Sequence, residues 1–207
     1  MTVPGTPDSN GGRIELRDAE LVYRPDWLPV RQADALFDAL LVRVPWEIHR
    51  IRLFGREVDS PRLSCWMGDS TAGYRYSGVS RAPQPWLPEL ESVRERLRGE
   101  TATDFNSVLL NRYRDGRDAM GWHSDDEAEL GPQPVIASLS LGATRRFVLK
   151  HRRESSCRLA LELAHGSLLL MAGTTQRQHR HALPRTAKPV GERINLTFRQ
   201  VIPSPQP

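Results

Sequence analysis

The chain has little cysteine. Two residues, Cys65 and Cys157, are the whole supply in 207 positions, and they form no C-x-x-C pair. That excludes a disulfide framework and a cysteine-built zinc site, and fits free thiols in a reducing cytoplasm. Long apolar runs are missing too. None could cross a bilayer, so no membrane partner is expected. Met1 to Gly12 lacks a basic stretch followed by an apolar core, so no secretory leader is expected. Charge of one sign is not in large excess. The 29 basic residues against 25 acidic ones leave a net charge of +4, which permits a polyanionic partner without requiring one. There is no internal repeat and no second compositional block, so we expect a single domain over 13–207 behind a disordered tail, 1–12.

What is present falls into two halves. In 13–104, Leu21-Val22-Tyr23 reads as a short strand, and Pro29 opens a helix with Ala33, Leu36, Phe37, Leu40 and Leu41 on one face. Trp46 to Phe54 alternates weakly, and Gly55 to Asp69 reads as loop and extended chain. Pro83, Pro85 and Pro88 lead into a second helix bearing Leu90, Val93 and Leu97, with Gly99 as its stop. From 105 to 201 the pattern turns to short strands: Phe105 to Arg114, Val135 to Leu141, Arg146 to Lys150, Arg158 to Leu163, Ser167 to Met171 and Glu192 to Gln200. This predicts an α+β, mainly β fold, a sandwich or jelly roll with the helices outside one sheet.

The chemistry is concentrated near the C-terminus. In Arg193-Ile194-Asn195-Leu196-Thr197-Phe198-Arg199 the apolar and polar residues alternate strictly. An ordinary half-exposed strand does the same. Here, though, the polar side holds two arginines, groups suited to gripping a carboxylate by paired hydrogen bonds. Asn111 and Tyr113 share a face of an earlier strand and can join such a grip; alone, Tyr113 would be a half-buried core aromatic. His123-Ser124-Asp125 puts two ligand types on one side of an extended chain. A lone H-x-D is weak, but His179 and His181 each offer a third ligand. Two histidines and a carboxylate suit non-haem Fe(II) with open positions. His49 and His151 flank basic surface residues, and His165 occupies a turn.

Five segments then carry a family resemblance: 111–116 (NRYRDG), 122–127 (WHSDDE), 137–145 (ASLSLGATR), 165–169 (HGSLL) and 193–199 (RINLTFR). In this order they resemble the AlkB family of Fe(II)- and 2-oxoglutarate-dependent dioxygenases, most closely the branch of the human DNA-repair homologues two and three. The resemblance covers about 54–201. It implies a double-stranded β-helix core with a nucleotide-recognition lid from the N-terminal part. It implies His123, Asp125 and His181 as the catalytic metal ligands; His179 stands where relatives tend to have an aromatic residue. It implies Asn111, Tyr113, Arg193, Asn195, Thr197 and Arg199 as the 2-oxoglutarate contacts.

On the substrate side, Phe54-Gly55, Pro61-Arg62-Leu63, Gly68-Asp69 and 74–78 (YRYSG) resemble the lid. A base inside a duplex cannot reach a buried iron, so it must be extruded and held between flat side chains. Tyr74 and Tyr76 supply such faces, with Ser77 beside them. Asp126 and Glu127 can favour a cationic methylated base. Phe54 is read equally well as a wedge in the duplex or as a core residue. Arg62 and the cluster Arg145, Arg146, Lys150, His151, Arg152 and Arg153 are candidate phosphate contacts, although charged loops are usually just solvated.

The resemblance thus implies a monomeric, cytoplasmic enzyme that oxidatively demethylates 1-methyladenine and 3-methylcytosine in DNA, releasing succinate, carbon dioxide and formaldehyde. The rivals are the same chemistry on RNA, a damaged-nucleic-acid binding module with a vestigial metal site, and a purely structural jelly roll.

Overall fold

The structure, a computed structural model, describes residues 11–53, 56–76 and 79–202. Strands β1 (Gly12–Ile14) and β2 (Glu20–Arg24) precede helix α1 (Val30–Arg43). Then come β3 (Arg50–Leu53), β4 (Arg56–Asp59), β5 (Leu63–Gly68), β6 (Tyr74–Tyr76) and β7 (Val79–Arg81). Helix α2 (Pro88–Thr101) leads into β8 (Ser107–Tyr113), β9 (Met120–His123), β10 (Ile136–Gly142), β11 (Arg145–His151), β12 (Arg158–Leu163) and β13 (Ser167–Ala172). A single helical turn, α3 (Thr175–Gln178), runs into β14 (His179–Leu183), and β15 (Arg193–Arg199) closes the fold.

Two antiparallel sheets form the core. The larger has the order β1-β2-β13-β10-β15-β8-β5 and the smaller β12-β11-β14-β9. This is the jelly-roll arrangement expected from the strand spacing. The pairs β3–β4 and β6–β7 form separate two-stranded ribbons.

Burial decides which way β15 faces. Ile194, Leu196 and Phe198 are fully buried, together with Leu36 and Leu40 of α1 and Leu90, Val93 and Leu97 of α2. Both helices therefore cover the outer face of the larger sheet. The polar side of β15 is forced inward, toward the smaller sheet. Between the sheets, Phe147, Leu149, Leu159 and Leu161 pack with Ile136, Leu169 and Met171 to form a second apolar cluster.

Several expectations need correction. In 55–69, read as loop and extended chain, the described residues hold two strands, β4 and β5. On β5 both faces are largely buried, with Ser64, Cys65 and Met67 all under 6% exposed, so the alternation that marks a half-wet strand is absent. Within the weakly alternating stretch 46–54, the described residues form a strand at β3. Helix α2 runs past Gly99 to Thr101 and is capped by Ala102, which adopts the left-handed conformation (φ 53). Gly12, assigned to the tail, already belongs to β1, paired with Tyr23.

Candidate active site

The polar side of β15 and the inner face of β8 form one wall of a cavity between the sheets. It is lined by Asn111, Tyr113, Arg193, Asn195, Thr197 and Arg199, with His123, Asp125 and His181 opposite. The register explains the assembly. Tyr113 pairs with Arg193 and Asn111 with Asn195, so all four point the same way. On the other sheet His181 lies directly opposite His123.

His123, Asp125 and His181 offer ligand atoms that all lie within 4.8 Å of one another, and no other such group occurs among the described residues. His181 Nε2 is 3.7 Å from Asp125 Oδ2, and the two imidazole rings meet edge to face at 4.2 Å. His123 Nδ1 donates to the Gly121 carbonyl at 2.8 Å, which leaves Nε2 as its lone-pair nitrogen. Burial, and then the neighbouring His123, lower the His181 pKa to about 3 against the pull of Asp125, so this imidazole is neutral near pH 7. Burial alone would push the Asp125 carboxyl up. The Arg199 guanidinium, His181 and His123 outweigh it and hold the carboxyl below its ordinary value. A buried carboxylate beside two imidazoles is a donor set that suits an Fe(II) ion. His179 does not join them. It stacks edge-on against His151 at 5.0 Å, with Nε2 4.0 Å from Cys157 Sγ.

The arginines of the β15 wall are the next feature of the cavity. Arg193 is 2% exposed, donates Nη2 to Ser140 Oγ at 3.0 Å, and leaves Nε and Nη1 buried without a partner. Burial lowers its pKa to about 10, so it keeps its charge at neutral pH. No carboxylate among the described residues pairs with it. The Tyr113 ring, 5.2 Å from the guanidinium, offsets part of the cost of burying this cation; with no carboxylate beside it, the donors left over in the cavity wall suit an anion. Arg199 engages Asp125 through Nη2 and leaves its Nε unpartnered. A small dicarboxylate such as 2-oxoglutarate fits these donors. Asn195 and Thr197 spend hydrogen bonds within the wall, Asn195 on Ser138 Oγ at 2.8 Å and Thr197 on Asn195 Oδ1 at 3.1 Å.

The substrate-side expectations divide. Phe54 and Ser77 lie outside the described residues. Tyr74 and Tyr76 fall on β6, where the backbone pairing is described and the side-chain placement lies outside it. Arg62 is built into the wall, donating to Asn111 Oδ1 at 2.7 Å and Ser60 Oγ at 3.0 Å. Asp126 is engaged by Arg152, whereas Glu127 is exposed. In the basic cluster, Arg145 is no phosphate contact. It is 2% exposed and donates to the carbonyls of Asp115, Asp118 and Pro184. His151 is buried as well, because alternation on β11 turns positions 145, 147, 149 and 151 inward.

One residue escaped the sequence reading. Gln176, on the single turn α3, is 1% exposed, and its Oε1 accepts the Asp125 backbone N–H at 3.0 Å. Nothing in the polar run Thr174-Thr175-Gln176-Arg177-Gln178 announces this contact.

Comparison with known proteins agrees with the geometry. The family model described as the 2OG-Fe(II) oxygenase superfamily matches residues 20–199. The human DNA oxidative demethylase ALKBH2 is 41% identical over 181 residues, covering 83% of this chain and 69% of that protein. The rat alpha-ketoglutarate-dependent dioxygenase alkB homolog 3 is 40% identical over 194 residues, covering 88% and 64% respectively. The solved structure of OsALKBH1 superposes with a TM-score of 0.57 over 87% of this chain and 97% of that one; at 18% identity it speaks to the fold alone. A family match over nearly the whole jelly roll, with the metal trio and the arginine wall inside it, settles the affiliation: the chain belongs to the 2OG-Fe(II) oxygenase superfamily and, within it, to the AlkB family.

Proposed function

We propose that this protein repairs DNA by direct reversal, removing N-linked methyl groups from 1-methyladenine and 3-methylcytosine. The observation that carries it is the shared cavity: a His–Asp–His trio and a buried arginine with two orphan donors line the same space. DNA as the polymer is supported by the human relative, which is named as a DNA oxidative demethylase. Fe(II) held by His123, Asp125 and His181, with 2-oxoglutarate and dioxygen as co-substrates, supplies the oxidation: the methyl carbon is hydroxylated and leaves as formaldehyde, while 2-oxoglutarate becomes succinate and carbon dioxide.

The chain's own residues hold the parts. The bond from His123 to the Gly121 carbonyl fixes one ligand ring, and Gln176 fixes the backbone of Asp125. Arg193, buried in the wall, orients the co-substrate by charge and paired donors. Glu127 leaves a negative charge near the ligand segment, which favours a cationic methylated base over a neutral one. The same reading takes the protein as a monomer acting in the cytoplasm; sedimentation checks the first. Among the described residues, no helix is long and apolar enough to cross a membrane.

The test is mass spectrometry of an oligonucleotide carrying 1-methyladenine or 3-methylcytosine, incubated with protein, Fe(II), ascorbate and 2-oxoglutarate. Loss of one methyl mass that requires iron and 2-oxoglutarate is the expected result. Succinate release without methyl loss would move the substrate elsewhere, and a matched RNA oligomer decides the polymer.

A further inference from the structure

The outer face of the smaller sheet carries charge that the cavity does not use. Side chains directly opposite each other on antiparallel strands share a face. Leu149, opposite His181, points inward and is buried, so Lys150 points outward. Its partners across the sheet are Arg158 on β12 and Arg180 on β14. Both arginines are exposed, and Lys150 is half-buried. None of the three forms an ion pair among the described residues, and their row contains no carboxylate. On this face Glu162 stands further along β12, opposite Arg146.

Two features give this row a direction. Trp122, adjacent to the ligand His123, is 45% exposed, and Lys150 Nζ lies 4.2 Å from its ring centroid. Arg152 then bridges Ser124 and Asp126, the two residues that flank Asp125. The cations thus lead across the sheet to the segment that carries two metal ligands.

We propose that this band is the docking track for the nucleic-acid strand flanking the target base, with phosphates on Arg158, Lys150 and Arg180 and a base stacked on Trp122. Neighbouring strands stand about 4.8 Å apart, so three cations span about 10 Å. A band of that length meets more than one phosphate of a strand laid across it, because the backbone carries a charge at every nucleotide. An exposed indole among cations suits a single strand, whose unpaired bases have free faces for stacking. An acidic peptide would use the charges and leave the indole idle. The inference rests on the proposed function only for the identity of the polymer.

The binding test needs no turnover. Fluorescence anisotropy with an unmodified single-stranded DNA of roughly 15 nucleotides, without iron or 2-oxoglutarate, compares the natural protein with Arg158→Glu and Arg158→Glu/Arg180→Gln. The double variant should bind about tenfold more weakly, and its salt slope should fall by about 0.7 for each phosphate that is no longer neutralised. Arg158 lies away from the metal, so the single variant keeps the test valid if Arg180→Gln disturbs His181; unchanged Mn(II) affinity checks that. Affinity and salt slope equal to those of the natural protein would overturn the track. So would an effect on duplex alone, or an equal effect on an acidic peptide. A companion assay compares demethylation of a methylated trinucleotide with that of the longer oligomer. The variants should lose rate on the longer one only. If the natural protein binds through the band yet demethylates nothing, the functional reading fails and the track stands.

Discussion

Arg193 is a buried cation that the proposed function assigns to 2-oxoglutarate, and that assignment predicts an unusual mutational signature. Two of its donor atoms have no partner, so the apoprotein carries the cost of burying them. Arg193→Met should abolish 2-oxoglutarate binding, yet leave the apoprotein at least as stable. Differential scanning fluorimetry checks this: the shift given by 2-oxoglutarate with Mn(II) should vanish while the apo Tm does not fall. A large drop in apo Tm would mean that Arg193 is structural. Gln176 makes the opposite case. Gln176→Leu leaves the Asp125 N–H buried and unpaired beside the metal, and Mn(II) affinity should fall about tenfold. Unchanged affinity in a folded variant would show that Gln176 does not position the ligand. His181 sets a pH dependence. Its pKa is lowered from 6.5 to about 3 by burial, so the unfolded chain takes up a proton that the folded one refuses. Stability is therefore full above pH 6.5 and is lost as pH falls toward 3. At about 1.36 kcal/mol per unit, lowering the pH from 7 to 5 should cost the apoprotein about 2 kcal/mol, measured by urea unfolding. His181→Leu should flatten that slope.

At the scale of elements, the turn from β10 to β11 is a tightly constrained join. Gly142 has φ +81, and a Cβ there would lie 2.4 Å from the Glu192 carbonyl and 2.7 Å from the Phe37 ring. Gly142→Ala should destabilise by about 2 kcal/mol or more, read as a lowered urea midpoint. This join also ties the site to the helix layer, since Phe37 belongs to α1. What the sequence made legible follows from what each element must bury. Strand β15 was readable because its two faces meet different surroundings, helices on one side and the cavity on the other. Strand β5 was not, because both its faces are covered. The same logic separates the charged residues: Arg145 and Lys150 look alike in a basic run, and only their parity on β11 sends one inward and the other to the surface. His179 and His181 share the inner face of β14, so parity could not choose between them. Their cross-strand neighbours do, His151 for one and His123 through β9 for the other.

For the whole molecule, the two sheets differ in how firmly they are held. The larger one is backed by α1, α2 and an apolar cluster, whereas β9 is an edge strand of the smaller one. It pairs with β14 at His123 and Met120, with an irregularity between those two positions. Yet His123 lies at its end and Asp125 just beyond, while the third ligand, His181, is on β14. A bound metal would therefore staple this irregularly paired edge strand to its neighbour. Metal at a hundred times its Kd should add about 2.7 kcal/mol to global stability, because the unfolded chain does not hold the trio together. The distribution of that gain is the sharper test. Regions that open locally, below the global unfolding free energy, respond most to a ligand that bridges them. Amide exchange in residues 120–125 should slow strongly when Mn(II) is added to EDTA-treated protein. β8 and β15, already held by neighbours on both sides, should change little under conditions where only local opening is seen. Equal slowing throughout would mean that β9 opens only with the whole molecule, and that the ligand edge is as firmly held as the core without its metal.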